Sequence, residues 1–348
     1  MSFFEKYLSV FVLIAMIIGV LIGQYFEAVP AFLERMTLTE ANISLPIAVL
    51  IWFMIFPSML KVDFTSIKNV GKSPKGLYLT WIVNWLIKPF TMFLISGFFF
   101  LVIYQNIMDE AIAAKYMAGA VILGAAPCTA MVFVWSQLTK GNAAYTLVQV
   151  ATNNLILLAL FVPIVGFLLY LIPDVAGTMP SIPWATLFFS VVVFVAVPLV
   201  AASLTRSWFI RRKGLEYLNN KVIPKFAKIT VIGLILTLVL IFSLQSDLIL
   251  NNPLHIVLIS IPLVIQTFFI FTIAYLAAKR LKLTHDIASP AAMIGASNFF
   301  ELAVAVAIAI SPVVALATTV GLLVEVPVML MLVKIANKTR HAFQKASA

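Results

Sequence analysis

Residues 124–135 read GAAPCTAMVFVW, and they lie in the middle of an apolar segment long enough to cross a membrane. Pro127 has no backbone N–H, and its ring clashes with the preceding turn, so a helix cannot pass through it undisturbed. In lipid, a broken helix survives only where protein encloses it or where it lines a cavity. Cys128, the single cysteine of the chain, follows directly. The stretch predicts a thiol at an interrupted helix, at the depth where transporters bind their substrates.

The composition of the whole chain is that of an integral membrane protein. Of 348 residues, 63% are hydrophobic and 10% are charged, which is far from the balance of a soluble domain. The net charge of +10 does not indicate nucleic-acid binding, because the basic residues fall between apolar segments. One cysteine excludes an internal disulfide and a cysteine-rich metal cage. Since no GxxxxGK[ST] run occurs, we expect no ATPase module in this chain; a separate ATPase or metallochaperone partner cannot be read from it.

Ten apolar stretches are each long enough to cross a bilayer, which takes about 17–25 residues. A lone cysteine in such a protein is often only a small buried hydrophobe, so its role depends on the organisation of these spans. We predict an all-α polytopic membrane protein with spans at 7–25, 45–60, 77–104, 116–137, 145–172, 184–205, 226–244, 254–277, 287–310 and 313–335.

The basic residues predict the orientation of the chain. Of the 23 lysines and arginines, all but Arg35, Lys115 and the intramembrane Lys88 fall on one side if ten helices alternate. Loops rich in lysine and arginine stay in the cytoplasm. We therefore expect a multi-pass protein of the plasma (inner) membrane with both termini in the cytoplasm.

The chain divides near residue 174 into two halves of five spans each, 1–174 and 175–348. An odd number of spans per half means that the halves insert with opposite orientation, as in inverted-repeat transporters. Gly124-Ala125 in span four and Gly295-Ala296 in span nine occupy the same place in each half. The fourth helix of the second half is therefore expected to be broken like that of the first.

Span nine carries polar side chains at that place, namely Ser297, Asn298 and Glu301. The ends of half-helices offer free N–H and C=O groups that can hold a polar solute or an ion. Glu301 is the strongest candidate, because a carboxylate at this depth is costly and marks a functional site by default. It could carry a proton, or it could be a structural carboxyl that bonds neighbouring helices.

Other polar residues inside the spans leave their roles open. A carboxylate in span ten could support the pocket or helix packing, and a lysine in span three could pair with an acid or extend toward the membrane surface. Intramembrane amides bond neighbouring helices in many proteins. These residues are Glu325, Lys88, Asn84, Gln149, Asn153, Asn154 and Gln266.

The stretch 126–136, APCTAMVFVWS, together with YTLVQV at 145–150, resembles the signature of the arsenite efflux permeases. These belong to the bile acid/arsenite/riboflavin transporter superfamily. The resemblance extends to NWLIKP at 84–89, ASNFFELAV at 296–304 and LVEVPV at 323–328. It implies ten helices in two inverted five-helix repeats, with a panel and a core in which the broken helices four and nine cross.

The resemblance also implies roles for particular residues. Cys128 and Glu301 match the two functionally essential positions of the family, and we place two amides beside them as substrate-binding residues, Asn298 and Asn153. Asn154 stands where the family pattern suggests an acidic residue, which puts a proton-relay role there in doubt. We assign coupling or supporting roles to Glu325, Lys88, Asn84 and Gln149.

The expected substrate is arsenite, with antimonite as a further candidate, and the expected exchange ion is the proton. As(III) is soft and thiophilic, so a thiolate is its natural ligand, and Cys128 is the arsenic ligand that this chain offers. One thiolate with carboxyl and amide partners allows both capture and release. We expect a transporter and not an enzyme, without a cofactor; its oligomeric state cannot be read.

The main alternative is a sodium-coupled organic-anion symporter of the bile-acid type. Its sodium sites would use residues of the same kind, Glu301, Asn298, Gln149 and Asn153, but it has no need of the thiol of Cys128. The ten predicted spans argue against a seven-helix receptor. An intramembrane hydrolase would need a general base near the thiol, and no histidine is suitably placed.

Overall fold

The computed structural model describes residues 8–38, 43–61, 74–129, 131–173, 184–251 and 253–343. Nearly all of them are helical, and the strands in this part of the chain are the two-residue pair β1 (Thr37–Leu38) and β2 (Ile43–Ser44), which is antiparallel. The all-helical class predicted from the composition is confirmed. Several predicted features lie outside the described residues: the boundary near 174, and Lys6, Lys68, Lys72, Ala130 and Lys345.

The helices of the first half contain two short π-helical turns, Val83–Ile87 and Phe98–Ile103. Both lie in α4. In chain order the helices are α1 (Leu8–Tyr25), α2 (Ala28–Arg35), α3 (Leu45–Leu60), α4 (Pro74–Ile103), α5 (Glu110–Gly124), α6 (Val132–Leu138) and α7 (Ala143–Tyr170).

The second half begins with three helices that two π-turns connect, at Val192–Ala196 and Leu218–Val222, and the second of these helices is kinked at Gly214, whose φ is 82°. A short 3-10 turn, Arg340–Ala342, ends it. The helices are α8 (Trp184–Val191), α9 (Val197–Tyr217), α10 (Ile223–Leu244), α11 (Ser246–Asn251), α12 (Pro253–Arg280), α13 (His285–Ala296), α14 (Phe300–Ile310) and α15 (Pro312–Lys338).

Five helices in the described residues are long and apolar enough to cross a membrane, and a sixth candidate is the α1–α2 pair, which bends by 92°. In the described residues each predicted span is mainly helical, and spans four and nine are each divided between two helices. Length and composition alone do not show that each of them crosses, so the ten-span inverted repeat remains a prediction. The five are Pro74–Ile103, Ala143–Tyr170, Trp184–Phe226, Pro253–Arg280 and Pro312–Lys338.

Two helix boundaries differ from those predicted. The helix of span four begins at Glu110 rather than at 116, because the Asp109 side chain accepts hydrogen bonds from the backbone amides of Ala111 and Ile112 and caps it. Lys115 therefore lies inside a helix. Span six continues as helix beyond 205 as far as the kink at Gly214, since helix formation does not end where hydrophobicity ends.

The described helices pack in two groups. In one group, α10 packs against α1 and α3, and α3 against α9. In the other, α15 packs against α5, α12 and α14, and α12 against α13. Of the five long spans, α15 is the most enclosed, with 72% of its most apolar window buried. It therefore lies at the centre of the second group, beside both broken helices.

Close backbone approach holds this second group together. Gly119 of α5 lies so near α15 that a Cβ atom added there would be 2.2 Å from the carbonyl oxygen of Val314. Small residues at such positions let membrane helices approach until their backbones touch. The position of α5, and of the break that follows it, is thereby fixed relative to α15.

Candidate functional site

The two broken helices meet at their breaks. The first break separates α5 from α6, the second separates α13 from α14, and Pro127 and Asn298 form an antiparallel bridge between them. The backbone N–H of Phe299 donates to the carbonyl oxygen of Ala126, with N and O 2.8 Å apart. A helix that stops leaves carbonyl groups without donors. Each break therefore supplies a backbone partner that the other needs.

Glu325 of α15 holds the second break in shape. Its carboxylate accepts from the hydroxyl of Ser297 at 2.5 Å, from the backbone N–H of Asn298 at 3.1 and 3.2 Å, and from the Asn298 side-chain amide at 3.0 Å. An unpaired N–H in lipid costs several kcal/mol. Glu325 thus replaces the helical acceptors that the break has lost, which supports the pocket-supporting role considered for it.

Lys88 reaches the same break from α4. Its ammonium donates to the carbonyl oxygen of Ser297 at 2.5 Å, and the residue is only 1% exposed. The side chain therefore does not extend to the membrane surface. The Gln266 side-chain amide of α12 donates to the Lys88 carbonyl at 3.0 Å, which fixes the backbone from which the lysine extends.

The Cys128 thiol lies beside this network. The residue is 2% exposed and packs with Val132, Val150 and Ile294. Its sulfur lies close to the Ser297 side chain and to the Val132 backbone. The thiol predicted at a broken helix is therefore present. Described side chains enclose it, and it lies next to the polar break.

Ser297 is the residue that the sequence analysis left out of the candidate site. The thiol, the Glu325 carboxylate and the Lys88 ammonium all converge on it. Its position at the start of the polar interruption in span nine was the available signal. Its partners could not be foreseen, because they come from three other helices.

Glu301 differs from Glu325 in its surroundings. It lies in the first turn of α14 and is 7% exposed. Within the described part of the chain, no other side chain forms a hydrogen bond with its carboxylate. It lies near enough to Cys128 and Glu325 to interact electrostatically with both. Of the two carboxylates, Glu301 is the one available to a substrate or a proton.

The predicted amides have incomplete hydrogen bonding. Asn153 accepts from the Trp85 indole at 3.3 Å, and Gln149 donates to the Tyr145 hydroxyl at 2.8 Å. Asn154 donates to the sulfur of Met59 at 3.2 Å. Leaving a buried polar atom unpaired costs about 1–3 kcal/mol, so such atoms suit a polar ligand. Those without a partner among the described residues include Asn84 Oδ1 and Nδ2, Thr129 Oγ1, Gln149 Oε1, Asn153 Nδ2 and Asn298 Oδ1.

Hydrogen bonds connect some of the predicted site residues to one another and others to different parts of the protein. Asn298, Glu325 and Lys88 form one network through Ser297, with the Cys128 thiol beside it. Asn153 and Gln149 bond to residues of α4 and α7 instead. In the described ranges, no group of three His, Cys, Asp or Glu side chains is placed so as to hold a metal ion, so a metalloid here would meet one thiol among oxygen and nitrogen partners.

A cavity of about 600 Å³ lies elsewhere, between α3, α8 and α10. Its walls are apolar, with Trp52, Phe56 and Phe226 among them. A small polar solute would find no hydrogen-bond partner there. The meeting point of the breaks is therefore the better candidate site.

Comparison with known proteins identifies the family of this chain. Residues 48–252 match the model of the Sodium Bile acid symporter family. The arsenical-resistance protein Acr3 of Alkaliphilus metalliredigens (strain QYMF) is 57% identical over 99% of this chain and 96% of its own length. The Acr3 protein of Corynebacterium glutamicum is 32% identical over 95% of this chain and 88% of its own.

A transporter of Synechocystis sp., slr0944, whose name assigns no substrate, is 41% identical over 99% of this chain and 91% of its own length. The family match and these full-length relatives concern transporters and not enzymes. This chain therefore belongs to the Sodium Bile acid symporter family and, within it, to the arsenical-resistance transporters named Acr3.

Proposed function

We propose that this protein extrudes arsenite from the cytoplasm by secondary active transport, in exchange for protons. The observation that carries the proposal is the Cys128 thiol at the meeting point of two broken helices, with Glu301 nearby and without a side-chain partner in the described residues. The names of two full-length relatives support arsenic as the element concerned.

The thiol supplies the selectivity of the proposed site. As(III) is soft and prefers thiolate to the oxygen and nitrogen ligands that surround Cys128. When the thiol binds arsenous acid, an As–S bond forms and an As–O bond breaks. The thiol proton leaves with the departing hydroxide as water, and the reverse reaction releases the substrate. Antimonite shares this chemistry, and we propose it as a second substrate.

The amide and hydroxyl side chains near the breaks complete the proposed site. The hydroxyl groups on arsenic can donate to Asn298 Oδ1 and Thr129 Oγ1, which have no partner among the described residues. Because a single thiolate is assisted by weaker partners, arsenic is held long enough for transport and is not trapped. Asn153, with its unpaired Nδ2, is a further contact on the α7 side.

Glu301 is the proposed proton carrier. Titratable residues inside membrane spans mark proton relays in pumps and transporters. In the proposed cycle, Glu301 gives its proton to the cytoplasm when arsenite binds and takes one from outside when arsenite leaves. One proton enters for each neutral arsenous acid that is extruded, so the proton gradient drives the export.

The proposed topology follows from the positions of the breaks and of the basic residues. We place the protein in the plasma membrane, with both termini in the cytoplasm and with ten helices in two inverted repeats. The breaks begin after Gly124 and Ala296, within one residue of equivalent positions in the two halves, which supports the repeat. Inverted repeats place a substrate site near the bilayer midplane, where half-helices meet.

The decisive experiment is arsenite uptake into everted membrane vesicles, in which export appears as accumulation. We expect respiration-driven accumulation that a protonophore abolishes and that sodium does not change. Vesicles with Cys128→Ser, at matched protein levels, should show at least about a 100-fold loss, since a hydroxyl is a poor ligand for As(III). Accumulation that follows an imposed sodium gradient and ignores the protonophore would instead support the sodium-coupled alternative.

A further inference from the structure

Lys88 holds a buried positive charge in the middle of a membrane protein. Among the described residues it is the one lysine or arginine that is buried. Its ammonium donates to the carbonyl oxygen of Ser297 at the break between α13 and α14. A buried charge without partners would be strongly destabilising, so the groups around this ammonium require an explanation.

The hydrogen-bond network that the ammonium joins is made of groups that would hold a small cation. The Ser297 carbonyl oxygen accepts from the ammonium, the Ser297 hydroxyl donates to the Glu325 carboxylate, and Asn298 Oδ1 has no partner in the described residues. Hard cations prefer carbonyl and carboxylate oxygens. In transporters with broken helices, unwound backbone carbonyls and half-helix ends are where sodium is coordinated.

The backbone around Lys88 directs its side chain to this place. A π-turn at Val83–Ile87 ends immediately before it, and Pro89 follows it. Such turns are frequent at functional sites. Gln266 donates both to the Lys88 carbonyl at 3.0 Å and to the Thr91 hydroxyl at 2.9 Å. The ammonium is therefore held in place by the fold and is not a long side chain that happens to reach a carbonyl.

We propose that the Lys88 ammonium is a tethered cation, which occupies at the break of span nine the position that a sodium ion would otherwise take. The inference rests on the proposed function in that the break is taken as the transport site. The family is named for sodium symport, so sodium is the ion to compare. A cation that cannot leave keeps the Ser297–Glu325 network in shape and removes any need for sodium during transport.

Thermal unfolding of the purified protein tests this proposal, with sodium chloride compared with choline chloride at equal ionic strength. The wild-type midpoint should be the same in both salts. In choline chloride, both Lys88→Ala and Lys88→Met should unfold at a lower temperature than the wild type. The methionine variant keeps an unbranched apolar side chain and loses only the charge. Sodium should raise their midpoints by at least about 3 °C in a saturable manner, since a ligand that binds only the folded state stabilises it.

The matched control is Lys75→Ala, which removes an exposed lysine near the start of the same helix and should leave the midpoint independent of sodium. A purely structural lysine would give variants that are destabilised equally in both salts, and that result overturns the proposal. So does a wild-type protein that sodium stabilises. If the variants fold in neither salt, the proposal also fails, because sodium should replace the lost ammonium.

The measurement contains no arsenite, so its outcome is independent of the vesicle experiment. If arsenite is not transported but the Lys88 variants acquire sodium dependence, the tethered cation stands in a transporter for another substrate. If arsenite is transported but the variants do not respond to sodium, the proposed function stands and the tethered cation is rejected.

Discussion

Ser297 shows how much of a site can depend on one small polar residue. Its hydroxyl donates to the Glu325 carboxylate, and its carbonyl oxygen accepts from the Lys88 ammonium. The Cys128 thiol lies beside its side chain. The two charged residues are thereby bound to the break itself, whereas Glu301 remains outside the network. Among single residues, the site therefore separates side chains that hold the backbone from a carboxylate that has no side-chain partner in the described residues.

This separation predicts different outcomes for the two carboxylates. Glu301→Gln should abolish arsenite transport in vesicles yet leave the thermal unfolding midpoint within about 2 °C of wild type, because it removes a titratable group without breaking a network. Glu301→Asp should retain partial activity. Glu325→Gln should lower the midpoint by several degrees, since its carboxylate accepts bonds from Ser297 and Asn298 at the break.

Both midpoints and initial uptake rates are measured on the same preparations. Equal destabilisation by the two glutamine variants would show that Glu301 is structural. Wild-type transport by Glu301→Gln would show that the proton is carried elsewhere.

At the scale of the element, the breaks were predictable and their partners were not. Pro127 and the polar run that starts at Ser297 are local signals, and both interruptions are present where the sequence indicated. The bond between Lys88 and Ser297 joins residues 209 positions apart. No local pattern determines such a contact, which is why the sequence does not identify Ser297 as part of the site. The start of α5 differs from the predicted start of span four because the Asp109 cap, and not the onset of hydrophobicity, determines where the helix begins.

The contact between α5 and α15 supplies a test at this scale. A methyl group in Gly119→Ala would meet the Val314 carbonyl, so the helices must separate, and such overpacking costs about 1–3 kcal/mol. We expect a midpoint several degrees lower. Gly97→Ala is the matched control, since its methyl group would meet the flexible end of Met117 at 3.1 Å. An unchanged midpoint for Gly119→Ala would contradict the close approach of these helices.

At the scale of the whole molecule, the positions of basic residues predict which ends of the helices face the cytoplasm. Cys128 is the single cysteine, so Cys128→Ser gives a background free of thiols. In that background, Lys338→Cys near the end of α15 should react with a membrane-impermeant maleimide only in everted vesicles. Gln105→Cys, in the exposed turn before α5, should react only in intact cells. The reverse pattern would invert the proposed topology.

The hydrogen bond from Phe299 to Ala126 has a consequence for how the cell conserves energy. A conformation in which the two breaks come apart within the bilayer would uncover backbone groups on both, at a cost of several kcal/mol. Such a conformation would also be the one most open to protons from both sides. Because the bond raises the free energy of that conformation, it favours movement of the two broken helices together. An exporter built in this way would not dissipate the gradient on which it depends, even when no toxic substrate is present.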